Sequence, residues 1–283
     1  MMNSRAKRRR GKRPSHGRRM AALVALLAIL GLAAVPARAD DGPVLRDAWD
    51  VTLGGGGRYT PAYEGGSDMR FEARPYFDVT WYDINGRERT FLNVDDGLGV
   101  YLLSTQRFKL GPLLTWREGR RESRSSELRG LGNVDGGAQL GGLFEYQPHD
   151  CCTVFAKVRR DVGNEDGLFA DLGTDLTAPI AERHWFLNFR LTTTWADSKG
   201  LQPLFGITPA QSARSGLATY SPGSGMRNVT AEPALIYDFD GHWALAARLT
   251  YERLLGDAAD SPLIRTRGDA NQYSYELQLM YHF

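Results

Sequence analysis

Asn271-Gln272-Tyr273-Ser274-Tyr275-Glu276-Leu277-Gln278-Leu279-Met280-Tyr281-His282-Phe283 decides the fold. Taken with a period of two, one face carries Tyr273, Tyr275, Leu277, Leu279, Tyr281 and Phe283. The other carries Gln272, Ser274, Glu276, Gln278, Met280 and His282. A helix of 3.6 residues per turn would smear this pattern around its circumference, whereas a strand sorts it onto two faces. A strand that meets lipid on one side and a wet lumen on the other has this composition. A soluble sandwich would rarely spend four aromatics on one face and then stop on a Phe.

The same alternation recurs upstream. Trp49 to Tyr59 presents Trp49, Val51, Leu53, Gly55, Gly57 and Tyr59 on one face. Phe71 to Trp81 sets Phe71, Ala73, Pro75, Phe77, Val79 and Trp81 against Glu72, Arg74, Tyr76 and Asp78. Between His184 and Trp195, Trp185, Leu187, Phe189 and Leu191 oppose His184, Phe186, Asn188, Arg190 and Thr192. Asn85-Gly86 is the dipeptide favoured in tight hairpins. The segments number about twelve, each near the length that crosses a bilayer at a tilt. The expected fold is all-β, an antiparallel transmembrane barrel. The doubtful count lies at Arg87 to Leu103, where two short strands meet at Asp95-Asp96-Gly97. One strand with a bulge there would change the parity.

An even count returns both termini to one side. Asp83–Arg87, Gln147–Asp150, Pro179–Arg183 and Asp240–His242 then become short periplasmic turns. Arg117–Gly132, Ala196–Met226 and Leu255–Ala270 become long outer loops, the asymmetry of outer-membrane barrels. Trp49, Tyr59, Trp81, Trp116, Tyr146, Trp185, Trp195, Trp243 and Tyr251 end the apolar sets, as aromatics at membrane interfaces do. Tyr275, Leu277, Leu279, Tyr281 and Phe283 resemble the insertion signal by which bacterial outer-membrane barrels are assembled.

The N-terminus gives the address. Basic residues from Arg5 to Arg19 run into an apolar stretch from Met20 to Val35, followed by the small-residue cleavage pattern Ala37-Arg38-Ala39. This is the layout of a secretory signal, too short for a comfortable membrane helix. The expected organisation is a cleaved signal over 1–39, one barrel over 40–283 and export to the outer membrane. The whole chain has 35 Lys+Arg and 33 Asp+Glu. Residues 1–39 hold ten of the basic residues and none of the acidic ones, so the remainder has 25 against 33, a net of −8. Nucleic acid is thereby excluded as a partner.

Chemistry-bearing residues do not assemble along the sequence. The adjacent Cys151 and Cys152 have no metal-ligand spacing and read as ordinary strand residues. Ser212, Ser215, Asp257 and Asp260 fall at the outer end, whereas His149, His184, His242 and His282 fall at the periplasmic rim. A nucleophile and its base need hydrogen-bond reach, so no enzyme, cofactor or metal site is expected. Asp95, Asp96, Asp257 and Asp260 read as solvated outer-turn carboxylates in preference to a calcium site. Arg74, Asp171, Asp175, Arg190, Glu232, Arg248 and Glu252 lie on the lumen face with both signs interspersed. Either they pair and fill the barrel, or they line a narrow charged pore.

Three polar stretches carry a resemblance. They are Gly57-Arg58-Tyr59-Thr60-Pro61-Ala62-Tyr63-Glu64-Gly65-Gly66-Ser67, the loop element with Gly206, Ile207, Thr208, Pro209, Gln211, Ser212, Ser215, Gly216 and Leu217, and the segment with Gly256, Asp257, Ala258, Asp260, Ser261 and Pro262. Together they resemble the MipA/OmpV family of Gram-negative outer-membrane barrels, named for MltA-interacting protein, over essentially all of residues 40–283. The resemblance implies a non-catalytic barrel in outer-membrane lipid. It also implies a scaffold for murein remodelling that bridges a lytic transglycosylase and a bifunctional murein synthase. A narrow solute pore is the alternative.

Overall fold

A computed structural model describes residues 48–163, 166–181 and 184–283. The Ala37–Ala39 cleavage pattern and the basic-apolar leader lie outside these residues. The alternating segments form antiparallel strands: β1 (Ala48–Pro61), β2 (Met69–Tyr82), β3 (Glu88–Asn93), β4 (Gly97–Val100), β5 (Leu103–Ser104), β6 (Phe108–Arg117), β7 (Gly137–His149), β8 (Cys152–Asp161), β9 (Leu168–Ala181), β10 (Trp185–Ala196), β11 (Gly225–Asp238), β12 (Trp243–Leu254) and β13 (Asn271–His282). Sequence neighbours pair throughout except β4 and β5, which both pair with β6, and β13 pairs with β1. β4 and β5 are two pieces of one crossing, so the closed barrel has twelve crossings.

Closure removes every full-length edge, a requirement for strands in lipid. The final strand sits between β1 and β12 with Leu279 opposite Gly55 and Leu245, and Leu277 opposite Gly57 and Ala247. Its outward side chains Tyr275, Leu277 and Leu279 are exposed, as are Phe71, Leu140 and Leu172 on other strands. Aromatic pairs ring the end at which β1 starts and β13 finishes: Trp49 with Trp81 at 6.4 Å, Trp185 with Tyr237 at 4.7 Å and Trp243 with Tyr281 at 4.9 Å. At the loop end, Tyr251 and Tyr273 lie 5.1 Å apart. The two belts bracket an apolar band suited to hydrocarbon.

Arg87 to Leu103 is two antiparallel strands, with Asn93 opposite Gly97, and the even parity holds. Two of the expected turns begin inside strands. β7 runs on to His149 and β9 to Ala181, so Gln147 and Pro179 belong to strands. Cys151 lies in the turn, not in a strand, and Cys152 opens β8; both are free.

β3 and β4 stop short of the loop end. β2 has β3 partners from Asp78 to Tyr82, and from Met69 to Phe77 that side of β2 has no ladder neighbour. The carbonyl of Phe77 faces β3, accepting from the Val94 N–H at 3.3 Å. Pro75, two residues away, directs its donor-free nitrogen to the same side. A proline costs no ladder bond on an unpaired edge.

The long outer connections are structured. α1 (Ser198–Phe205) and α2 (Pro209–Ser215) lie between β10 and β11; α3 (Gly256–Asp260) and α4 (Pro262–Arg267) lie between β12 and β13. Two 3₁₀ turns, Glu122–Arg124 and Ser126–Leu128, follow β6. Leu128, Leu131, Leu201, Phe205, Ile207, Leu217, Ala258, Leu263 and Ile264 bury one another over the mouth, joined by Phe169 and Leu254 of the wall. The barrel thus carries an apolar core on its loop end.

Candidate functional site

The turn between β3 and β4 enters the lumen. Numbering the crossings from β1, it joins the third and fourth and faces the ninth and tenth, β10 and β11, across the barrel. Asn93 shapes the turn by accepting from the Asp95 and Asp96 N–H groups. Asp96 then reaches Arg190 of β10 at 3.1 Å and Lys157 of β8. Asp95 meets Arg74 of β2 at 3.0 Å and Arg248 of β12 at 2.8 Å. Arg190 is also bidentate on Asp175, at 2.6 and 3.0 Å. Two carboxylates on a short hairpin are therefore tied to four strands, and the lumen is bridged at mid-height.

Outer-turn solvation is thus the wrong environment for Asp95 and Asp96. The hairpin ends half-way up the wall, so its turn is inside the barrel rather than above it. There both carboxylates meet cations, Asp96 being less exposed than Asp95. Asp257 has different partners in the cap, where its Oδ2 accepts from the Gly223 N–H at 2.5 Å and its carbonyl from Tyr220. No group of three or more His, Cys, Asp or Glu able to hold a metal occurs among the described residues.

Toward the end at which β1 starts, Phe91, Tyr101, Leu113, Leu143 and Phe155 form a buried cluster. Arg190 and Lys157 lie over the Phe155 ring, 5.3 and 4.8 Å from its centre. These apolar residues sit on the inward parity of strands whose outward parity is also apolar, so alternation alone hides them. Asp171 accepts from Arg159 at 2.6 Å and from Thr194 at 2.9 Å. Glu232 accepts from Thr250, and Glu252 from Asn228. Arg74, Asp171, Asp175, Arg190, Glu232, Arg248 and Glu252 all face inward, and each has a polar partner there.

The quoted loop elements build the cap. Thr208 opens α2 with a capping box: its hydroxyl accepts from the Gln211 N–H while the Gln211 carboxamide accepts from the Thr208 N–H. Pro209 stands in the first turn, and Gly216 closes the helix at φ 75°, a left-handed value that suits glycine. Gln211 donates to the Leu131 carbonyl at 2.7 Å and Arg214 to the Gly130 carbonyl at 3.2 Å, tying α2 to the loop after β6. The Leu217 N–H meets the Ser215 hydroxyl, and the Ser215 carbonyl accepts from Arg267. In α3, Gly256 takes φ 47° and Ala258 is fully buried. Ser261, also fully buried, donates to the Phe205 carbonyl at 2.7 Å, and Pro262 opens α4. The Ser212 carbonyl receives the Gly216 N–H, and Asp260 lies 3.9 Å from Arg265 on the surface. Ser212, Ser215, Asp257 and Asp260 are thus cap residues, while His149, His184, His242 and His282 lie at the opposite rim. The barrel's length separates the two sets.

Some of this was readable beforehand. Thr208-x-x-Gln211 is a capping-box signature that marks a helix inside a stretch otherwise taken as polar loop.

Glu122 organises the loop after β6, accepting from the Gly130 and Gly132 N–H groups at 2.8 and 2.7 Å. Those two bonds hold its carboxyl below the ordinary glutamate range. At the far rim, Asp83 binds the N–H groups of Asn85 and Arg87 and the Arg89 side chain. Desolvation opposes these bonds, but they prevail and bring its carboxyl down to about 2.

Between the bridge and the cap lies a cavity of about 350 Å³. Arg58, Thr60, Arg70, Arg120, Asn228 and Glu252 are among the residues around it. A smaller one, about 170 Å³, adjoins Asp96, Lys157 and Arg190.

Among solved structures the chain is similar to the COG4313 outer membrane channel from Pseudomonas putida F1, at 12% identity over 87% of this chain and 100% of that one, with a TM-score of 0.42. It is also similar to a bacterial polysaccharide outer membrane secretin (8% identity, 84% and 99% covered, TM-score 0.43) and to the NanC porin (9%, 83% and 99%, 0.37). These likenesses are loose. No curated protein matches. The model of one family, described as MltA-interacting protein MipA, matches residues 53–283, which takes in twelve of the thirteen strands whole and most of β1. With the barrel, its cap and this match in hand, the chain belongs to the MipA family of MltA-interacting proteins.

Proposed function

We propose that the protein is an outer-membrane scaffold for murein-remodelling enzymes, and neither a catalyst nor a diffusion pore. It reaches the outer membrane after export by its N-terminal signal. Its periplasmic rim then holds a lytic transglycosylase and a bifunctional murein synthase near the membrane.

One observation carries the choice of scaffold over pore: Asp95 and Asp96 bridge the lumen to Arg74, Lys157, Arg190 and Arg248. An open pore needs a continuous wet path, and a hairpin salt-bridged to the opposite wall obstructs one. The family description supplies the partner class. The rim turns are short, so one turn alone buries far less than the roughly 1,000 Å² of a specific interface. Binding should therefore depend on several turns together. Immobilised barrel should retain a lytic transglycosylase. Replacing 83–87 and 239–242 together by Gly/Ser should lose it, and either replacement alone should weaken it. Retention unchanged by the double replacement would refute the rim as the docking face.

A further inference from the structure

Buried polar atoms normally have partners, so those that lack one point to a ligand or to solvent. Several such atoms surround the 350 Å³ cavity. Arg120 is only 3% exposed and anchors one nitrogen, Nη1, on the Leu204 carbonyl at 2.7 Å. Its Nε and Nη2 have no hydrogen-bond partner, and the Glu122 carboxylate acts on it only through space. Of the other cationic groups of the lining, Arg227 is bidentate on Glu64, Arg70 pairs with Glu72 through one Nη while its Nε has no partner, Arg58 lies 3.8 Å from Glu276, and Arg124 is exposed. Asn228, 8% exposed, gives its amide N–H to Glu252 and leaves its Oδ1 without a donor.

The cavity is therefore lined by a guanidinium with two unpartnered N–H nitrogens and by an amide with an unfilled acceptor. A guanidinium whose Nε–H and Nη2–H are both free offers one two-pronged edge that matches a carboxylate or phosphate in bidentate geometry. The acceptor asks for a hydroxyl or N–H on the same ligand. Thr60, Thr230, Thr250 and Ser274 add hydroxyls to the lining, which suits a polar body better than an acyl chain. The volume matches a small metabolite. Through Arg70 and Glu72 the cavity also borders the stretch of β2 that has no β3 partner.

We propose that this cavity binds a small hydroxylated organic anion of the sugar-acid kind, with its acid group on Arg120 and a hydroxyl on Asn228. The site lies on the far side of the lumen bridge from the rim, so it stands whether or not the scaffold reading does.

Titration calorimetry on the full-length barrel in detergent tests this with D-glucuronate and its neutral counterpart D-glucose. Glucuronate should bind saturably and glucose about tenfold more weakly or worse, since one charged hydrogen-bonded contact separates them. Arg120→Gln should weaken glucuronate about ten- to a hundredfold while leaving glucose unmoved. Asn228→Ala should weaken both sugars. Arg265→Gln, on the exposed outer face of the cap, should change neither. Heat-modifiable migration confirms that each variant is assembled. Should Arg120→Gln fail to assemble, the glucuronate-to-glucose ratio and Asn228→Ala still decide. No saturable glucuronate binding by the assembled wild type, equal affinity for glucose, or an unchanged affinity in assembled Arg120→Gln would each overturn the proposal.

Discussion

The lumen bridge and the outer cap both obstruct the same barrel, but they are made of opposite materials. The bridge is electrostatic: two aspartates of one turn on four cations from β2, β8, β10 and β12. The cap is apolar, a miniature core of Leu, Ile, Phe and Ala side chains over short capped helices. Charges drawn from distant strands fix the position of a turn and lose heavily when one partner is removed. An apolar core tolerates exchanges of similar volume and fails through cavities. The bridge should therefore be sensitive to charge and the cap to volume, each largely independent of the other.

The largest effect should come from breaking the bridge on one side. Arg190→Ala leaves Asp96 and Asp175 short of a partner in a half-buried lumen. Its expected cost is about 3–5 kcal/mol, read as a lower denaturation midpoint of the refolded barrel. Arg190→Lys should recover only part of this, because a lysine cannot hold Asp96 and Asp175 bidentately. A cost below roughly 1 kcal/mol, typical of exposed pairs, would show that the bridge is solvated and peripheral.

Leu201→Ala follows. Leu201 is buried in α1 at the heart of the cap. Its truncation should cost about 2–5 kcal/mol, but locally. Hydrogen exchange and protease nicking should rise in 197–224 and 255–270 while the barrel midpoint barely moves. A matched fall of the whole barrel would make cap and wall one cooperative unit. Leu277→Arg sets the scale for the lipid face: at mid-strand it should cost about 2–4 kcal/mol in bilayers, whichever obstruction is intact.

The gentlest perturbation is acid. The folded Glu122 carboxyl lies below its unfolded value because the Gly130 and Gly132 N–H groups bind its charged form. Its contribution is thus fully present above the unfolded value of about 4.3 and disappears as pH falls through the lower folded value. Amide protection, relative to the intrinsic rate at each pH, should fall in the loop between β6 and β7 below about pH 4. Glu122→Gln should show low protection already at neutral pH and no further change across that range.

These two obstructions were unequally legible in the sequence. Strands with clean alternation, such as β13 and β10, declared their inward and outward sets, and the structure keeps those sets. The cap was half legible: Thr208, Gln211 and Gly216 spell a capped helix, but its burial depends on Leu128 and Ile264 arriving from distant loops. The bridge was not legible. Asn93-Val94-Asp95-Asp96-Gly97 specifies a tight turn, but its depth is set by how short β3 and β4 are beside β2 and β6. Arg120 and Asn228 were missed for a related reason. Nothing local distinguishes an arginine with a free bidentate edge from one paired across a lumen.

Planar-bilayer conductance tests the bridge most directly. Wild-type barrel should be silent or carry only rare small openings, and Asp95→Ala/Asp96→Ala should give frequent, larger ones. The cap variant Leu201→Ala alone should stay quiet. Steady wild-type conductance, unchanged when both aspartates are removed, would contradict a lumen closed by that turn.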